Sequence, residues 1–372
     1  MSRGVTRLKA LAGAMLDAVG RPRLNARPTN PTKILVLHEL LLGDTLMLAP
    51  LLAALRRRYP VAEIFVTSPP AYAPLLGGRP YGVTVLPFSE RDQNALAALV
   101  PARNCDIAIL PGENRYALIA RALNARWVVA FAGGKPAWKN RAADELVAMP
   151  TKPASLADIF ALLADPDDIE QKGIGRNPKF SPLDWPAPQC AAFERPESPY
   201  AVLHVGAGSP LRLWEPRKWR AVADALSGLG VQPVWSAGRG ETDLVRAIDP
   251  HGVYASYGGR LDLAQLWHLL ACAKCAVTLD TGVAHLAKLT GTRVAVLFGP
   301  GSAELFGKGE FWRVNDFQPV TRADFPCRDQ TLLFKREIAW VRRCNRGPRE
   351  CPRPRCMEAI APEQVLAALH VE

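Results

Sequence analysis

The chain has 372 residues, of which 49% are hydrophobic and 22% charged, and a formal net charge of +11. That length suits two domains, each able to bury a full apolar interior, and no apolar stretch approaches the roughly 18 residues that make a membrane-spanning helix. The positive charge is concentrated: residues 1–33 carry seven Lys or Arg against one acid, residues 308–356 carry twelve against six, and the rest is close to neutral.

The opening "MSRGVTRLKALAGAMLDAVGRPRL" is too polar and broken for a secretory signal, so a cytoplasmic protein is expected. Within it Val5, Leu8, Leu11, Met15 and Val19 fall at helical spacing among Arg3, Arg7 and Lys9. Such a basic amphipathic helix can lie on the inner face of the cytoplasmic membrane or pack on the protein itself. Basic segments of this kind suit polyanions, and they also occur as plain solvated tails.

From residue 33 the pattern alternates. "KILVLH" reads as a buried strand and "TLMLAPLLAALRRRY" as one long helix after it; "EIFVTS", "VTVLPF", "DIAIL" and "RWVVAF" are further short apolar runs. Residues 175–199 hold six prolines without periodicity and read as a linker. The alternation then restarts with the strand "YAVLHV", the helix "RKWRAVADALSGLG", the strand "VQPVWS" and the helix "ETDLVRAI". The helix "LDLAQLWHLLACA" leads into "CAVTLDTGVAHLAKLTGTRVAVLFGP". Continuous apolar strands alternating with helices indicate parallel sheets covered on both faces. The expected class is α/β with two doubly wound, Rossmann-like domains and a cleft between their strand ends. The expected divisions are a basic extension at 1–32, a first domain at 33–180, a linker at 181–199, a second domain at 200–325, and a basic cysteine-containing segment at 326–372.

Three strand ends carry chemistry. In "LVLHELLLGDTLMLAP" Gly43 allows a tight turn, and Asp44 reads either as a helix N-cap or as a carboxylate placed as a general base. In "VLHVGAGSPLRLWEPRKW" small residues open backbone amides to an anion, with Arg212 to neutralise charge. A dinucleotide fingerprint fails there, because Leu211 occupies the place of its third glycine. In the third, Asp280 and Thr281 precede Gly282 where a helix begins. Its free amides and positive dipole end suit a phosphate, flanked by Asp280 and His285. The aspartic-protease reading of "DTG" and the Walker reading of "GSAELFGKG" both fail on context or spacing.

Taken in this order, the three stretches resemble glycosyltransferase family 9, the heptosyltransferase type that includes the lipopolysaccharide heptosyltransferases. The resemblance implies a GT-B fold with the acceptor bound mainly by the first domain and the donor by the second. It implies an inverting, metal-independent transfer of a sugar such as heptose. The donor would be a nucleotide diphosphate such as ADP-heptose, and the acceptor a lipid-linked or lipopolysaccharide glycan. It places Asp44 as catalytic base, with Gly43 in the acceptor-side loop, Arg212 near the donor phosphates, Glu241 near the donor ribose, and Asp280, Thr281, Gly282 and His285 in the donor motif. No cofactor is implied for catalysis. Leu40 and Leu41 depart from a serine pair common in the family, which leaves the acceptor open. A nucleotide-sugar epimerase and a non-catalytic basic binding protein are the alternatives; nucleic acid is not an expected partner of the enzyme reading.

Of eight cysteines, Cys105, Cys190, Cys272 and Cys275 read as packing residues. Cys327, Cys344, Cys351 and Cys356 cluster late and form a candidate structural site for zinc or iron.

Overall fold

The computed structural model describes residues 24–92, 95–165, 179–197, 199–322 and 325–370. The amphipathic stretch at residues 5–19 lies outside them. Among the described residues no helix is long and apolar enough to cross a membrane. The chain divides into two compact units, Met1–Pro186 with Leu332–Trp340, and Ala187–Thr331 with Val341–Glu372.

In the first unit, strands β1 (Lys33–Val36), β2 (Glu63–Ser68), β3 (Thr84–Pro87), β4 (Ile107–Leu110), β5 (Trp127–Phe131) and β6 (Glu145–Val147) form a parallel sheet in the order β3-β2-β1-β4-β5-β6. The second unit repeats this plan. Strands β7 (Tyr200–His204), β8 (Gln232–Ser236), β9 (Ala255–Ser256), β10 (Cys275–Leu279), β11 (Val294–Phe298) and β12 (Phe317–Thr321) run parallel in the order β12-β11-β10-β7-β8-β9. The expected doubly wound α/β class is therefore borne out in both units.

The central strands are apolar without alternation because helices cover both faces: every residue of β4, β7, β10 and β11 is buried. The helix Pro216–Gly228 shows the covering pattern, burying Trp219, Val222, Ala223 and Leu226 at the i, i+3, i+4, i+7 spacing of one face. Each winding starts in the middle of its sheet, so the strand order reverses between β1 and β4 and between β7 and β10. Loops diverge at such reversals and leave room for a ligand at the carboxyl ends of the strands.

One expected helix is two. The run after β1 forms Leu42–Leu46 and Ala49–Arg58, because Pro50 has no N–H to continue the ladder across Met47 and Leu48. The sequence also concealed a hairpin, β13 (Leu332–Leu333) paired antiparallel with β14 (Arg336–Glu337), which belongs to the first unit. The Pro-rich stretch is laid down rather than free at its start: Trp185 is buried and its indole N–H donates to Leu75 O at 2.9 Å.

Candidate functional site

In the first unit Asp44 follows β1 at the reversal of strand order. It is the third residue of the helix Leu42–Leu46, half-buried, and Gly43 lies inside that helix rather than in a turn before it. The helix cap is Leu41, whose side chain accepts no hydrogen bond. The N-cap reading of Asp44 is thereby corrected: the cap lies three residues earlier, at Leu41. A first-turn carboxylate is still favoured by the helix dipole. The two leucines that replace hydroxyls also separate, since Leu40 is buried whereas Leu41 is 74% exposed.

In the second unit the loops after β7 and β10 meet at the corresponding reversal. Arg212 ends the short turn Pro210–Arg212, and its guanidinium donates to the Asp280 backbone oxygen at 2.6 Å. Thr281 is the N-cap of the helix Gly282–Thr290, yet its side chain makes no capping bond. The helix ends at Gly291 with φ 72°, a left-handed cap that costs glycine little.

Around this uncapped N-terminus, Asp280 Oδ2, Thr281 Oγ1 and His285 Nδ1 are buried without a hydrogen-bond partner. Buried polar atoms are seldom left this way unless a ligand or water completes them. Burial pushes the Asp280 carboxyl above its ordinary range, against the pull of Arg212, Lys288 and Arg343. Burial, helped by the Lys288 charge, pushes the His285 imidazole well below its ordinary value, so it is neutral at pH 7. His285 thus offers a hydrogen bond and no positive charge.

Glycines let these groups close up. A Cβ on Gly301, after β11, would lie 1.9 Å from Asp280 Oδ2, and one on Gly206 would lie 1.9 Å from Glu241 Oε2. The Glu241 carboxylate accepts from the Gly238 N–H at 2.7 Å, which sets it between the loops after β7 and β8. Arg212, Asp280, Thr281, Gly282 and His285 are thus brought to one place, with Glu241 on the neighbouring loops.

Sequence reasoning missed Lys288 and Arg343. Lys288 is buried, donates to Gly307 O at 2.5 Å and lies 4.5 Å from the Phe317 ring centre. Its place one turn beyond His285 was the available signal. Arg343 comes from the distant C-terminal segment, and no local pattern marks it as a neighbour of Asp280.

The four late cysteines also converge. Cys327, Cys344, Cys351 and Cys356 line one cavity of about 490 Å³. The Arg346 backbone N–H donates to Cys344 Sγ at 3.4 Å. Burial first, then the neighbouring Cys327 and Cys344, push the Cys356 thiol up. Among the described residues no three His, Cys, Asp or Glu side chains are arranged to hold a metal ion. Two arginines of this basic segment are held by the protein itself: Arg328 donates to Gly299 O at 2.6 Å, and Arg346 pairs at the surface with Asp329 Oδ2 at 2.8 Å.

The model of glycosyltransferase family 9 (heptosyltransferase) matches residues 95–331. Lipopolysaccharide heptosyltransferase 3 of Escherichia coli is 22% identical over 306 residues, covering 77% of this chain and 89% of its own. Among solved structures, the E. coli ADP-heptose LPS heptosyltransferase II superposes with a TM-score of 0.68 at 20% identity, over 91% of this chain and 97% of that one. The iron-containing dodecameric glycosyltransferase TibC from enterotoxigenic E. coli superposes with a TM-score of 0.55 at 14% identity, over 93% and 77%. The superpositions establish the two-sheet GT-B fold. With the family model spanning well over half of the sequence, the chain belongs to glycosyltransferase family 9 and is a glycosyltransferase.

Proposed function

We propose that this enzyme transfers a heptose from ADP-heptose to a lipopolysaccharide or related lipid-linked glycan, with inversion at the anomeric carbon. The observation that carries the donor half is the uncapped N-terminus of Gly282–Thr290 with three unpartnered buried atoms beside Arg212. Helix-terminal amides and a guanidinium together suit a diphosphate. Support for heptose and for the glycan comes from the relatives, named for ADP-heptose and lipopolysaccharide.

In this reading Asp44 takes the proton of the acceptor hydroxyl as its oxygen bonds to the anomeric carbon. The bond from that carbon to the β-phosphate oxygen breaks, and ADP leaves with its new charge on the amides and Arg212. These protein groups do the neutralising, so turnover continues without added magnesium. Glu241 accepts hydrogen bonds from the donor ribose. The basic stretch at residues 1–33 supports contact with the inner face of the cytoplasmic membrane.

The test is incubation with ADP-heptose and a lipopolysaccharide-core acceptor. The expected products are ADP and a glycosylated acceptor, and the donor alone raises the melting temperature by stabilising the folded state. Conversion of the nucleotide sugar without glycosylation of the acceptor would mean epimerisation instead.

Gly206→Ala probes the ribose side. The added methyl displaces the Glu241 carboxylate from the Gly238 N–H. The clash is with the end of a flexible side chain, so the melting temperature should fall little. Affinity for ADP should fall about tenfold, the equivalent of roughly 1.4 kcal/mol. Unchanged affinity by calorimetry would take Glu241 out of the donor site.

We also infer that Cys327, Cys344, Cys351 and Cys356 hold a structural iron or zinc. The four thiols line one cavity without being drawn together as ligands, so they would have to close on the ion. Thiols are soft ligands suited to either metal, and an iron-containing glycosyltransferase stands among the structural neighbours. A bound cation would reverse the upward push on the Cys356 thiol. Gently purified protein should carry about one metal ion per chain by elemental analysis; near-zero content would reject the site.

A further inference from the structure

Arg336 is 1% exposed, and hydrogen bonds to main-chain and amide oxygens hold its guanidinium. It donates to Gly112 O at 2.9 Å, to Ala132 O at 3.0 Å, to Phe334 O at 3.1 Å, to Phe131 O at 3.3 Å, and to Asn114 Oδ1. Burial lowers its pKa to about 10. A desolvated cation hydrogen-bonded by carbonyls, with the Glu113 carboxylate acting on it only through space, is an expensive way to pack a hairpin, where an apolar side chain would serve.

The hairpin itself is strained at its tip. Phe334 and Lys335 have φ 46° and 63°, values that a two-residue turn normally assigns to Asn or Gly. Contacts to the first unit hold them there: Phe334 stacks on Phe160 with centroids 6.1 Å apart, Lys335 pairs with Glu113 at 3.3 Å, and the Trp340 indole donates to Pro150 O at 2.8 Å.

What the guanidinium grips is the rim of the first sheet. Gly112 and Asn114 follow β4, and Phe131 and Ala132 lie at the end of β5. Gly112 is packed closely on Leu40: a Cβ there would stand 3.1 Å from Leu40 Cδ2, tight enough that the leucine would have to shift. Leu40 belongs to the loop that leads into the helix of Asp44, and its carbonyl accepts from Thr45 Oγ1 at 3.4 Å. Next to Asn114, Arg115 pairs with Glu90 at 3.5 Å, and Tyr116 reaches Glu39, which also accepts from Ser89 Oγ at 2.8 Å. One guanidinium therefore underpins the loops after β4 and β5 and, through Gly112 and Leu40, the loop after β1.

We propose that Arg336, delivered by the hairpin from far along the sequence, is a positioning residue for the acceptor side of the reaction, setting Gly112 and thereby the loop that presents Asp44. The proposal rests on the reading of Asp44 as the base. Small errors in the placement of a reacting group cost large factors in rate, whereas donor binding belongs to the other unit.

The experiment compares Arg336→Met and Arg336→Lys with the parent for turnover, acceptor KM, ADP affinity by calorimetry, and melting temperature. Arg336→Met is expected to lower kcat/KM for the acceptor by about a hundredfold with ADP affinity within about twofold, and Arg336→Lys to recover part of the loss. Equal losses of acceptor use and ADP affinity, or kcat and acceptor KM near the parent's in folded Arg336→Met, would overturn it. If Arg336→Met does not fold, Asn114→Ala removes one arm of the grip and is expected to show the same split to a smaller degree; no split there would also overturn the proposal. Asp44→Asn measured in parallel separates the two ideas. An active Asp44→Asn ends the base assignment, while the acceptor KM of the Arg336 variants still decides the positioning role.

Discussion

Asp44→Asn is expected to fold normally, bind ADP-heptose as the parent does, and lose roughly two or more decades of turnover, the usual loss when a general base is removed. A sugar hydroxyl is a poor nucleophile at neutral pH, so its proton must leave as the new bond forms. Asparagine matches aspartate in shape and removes only the basicity. Because Leu41 and not Asp44 occupies the cap position, no capping bond is lost with the charge. A helix-dipole contribution of about 0.3–1 kcal/mol leaves with the charge, and the melting temperature is read alongside turnover. Turnover, ADP affinity and melting temperature on this one variant give the answer, and an active, stable asparagine variant would leave the enzyme in need of another base.

The second large effect is expected at Arg212. Its guanidinium is anchored to the Asp280 carbonyl at 2.6 Å, and in the proposed reading it meets the donor diphosphate beside the uncapped helix. Arg212→Ala should weaken ADP binding by about 1.5–3 kcal/mol, the worth of a charge-assisted hydrogen bond, which is about 10- to 100-fold in Kd. The deficit should be largest at low ionic strength and shrink as salt screens the interaction in the parent. Calorimetry across a salt series checks both statements. A deficit that does not change with salt would make Arg212 a loop support and not a phosphate ligand.

Both positions were legible for the same reason. A buried parallel strand reads as an unbroken apolar run, so a charged or glycine-rich break at its carboxyl end stands out against it. The contrast in "VTLDTG" needs no three-dimensional knowledge: Leu279 is fully buried, and Asp280 and Thr281 follow it directly. The break in the long helix was also written in the chain, at Pro50, but the apolar periodicity on both sides hid it. The cap assignment failed because helix starts depend on backbone angles that a Gly-Asp pair does not dictate: Leu41 takes the extended conformation and the helix begins before the glycine.

The sequence by itself determined the two doubly wound sheets, the three strand ends proposed for the chemistry, and the family, because each of these lies in the period and composition of contiguous segments. Only the tertiary structure decided which distant charges lie against the candidate sites. Lys288, Arg336 and Arg343 look like ordinary basic residues in the chain, and two of them sit in a segment whose net charge suggested a solvated tail or a polyanion site. Folding buries Arg336 among carbonyls more than 200 residues away in sequence and brings Arg343 into the field of Asp280. It also turns four scattered cysteines into the lining of one cavity. Such pairings leave no local pattern, since closing loops of this length adds conformational cost only slowly with length, and it is the packing of the completed sheets that selects them.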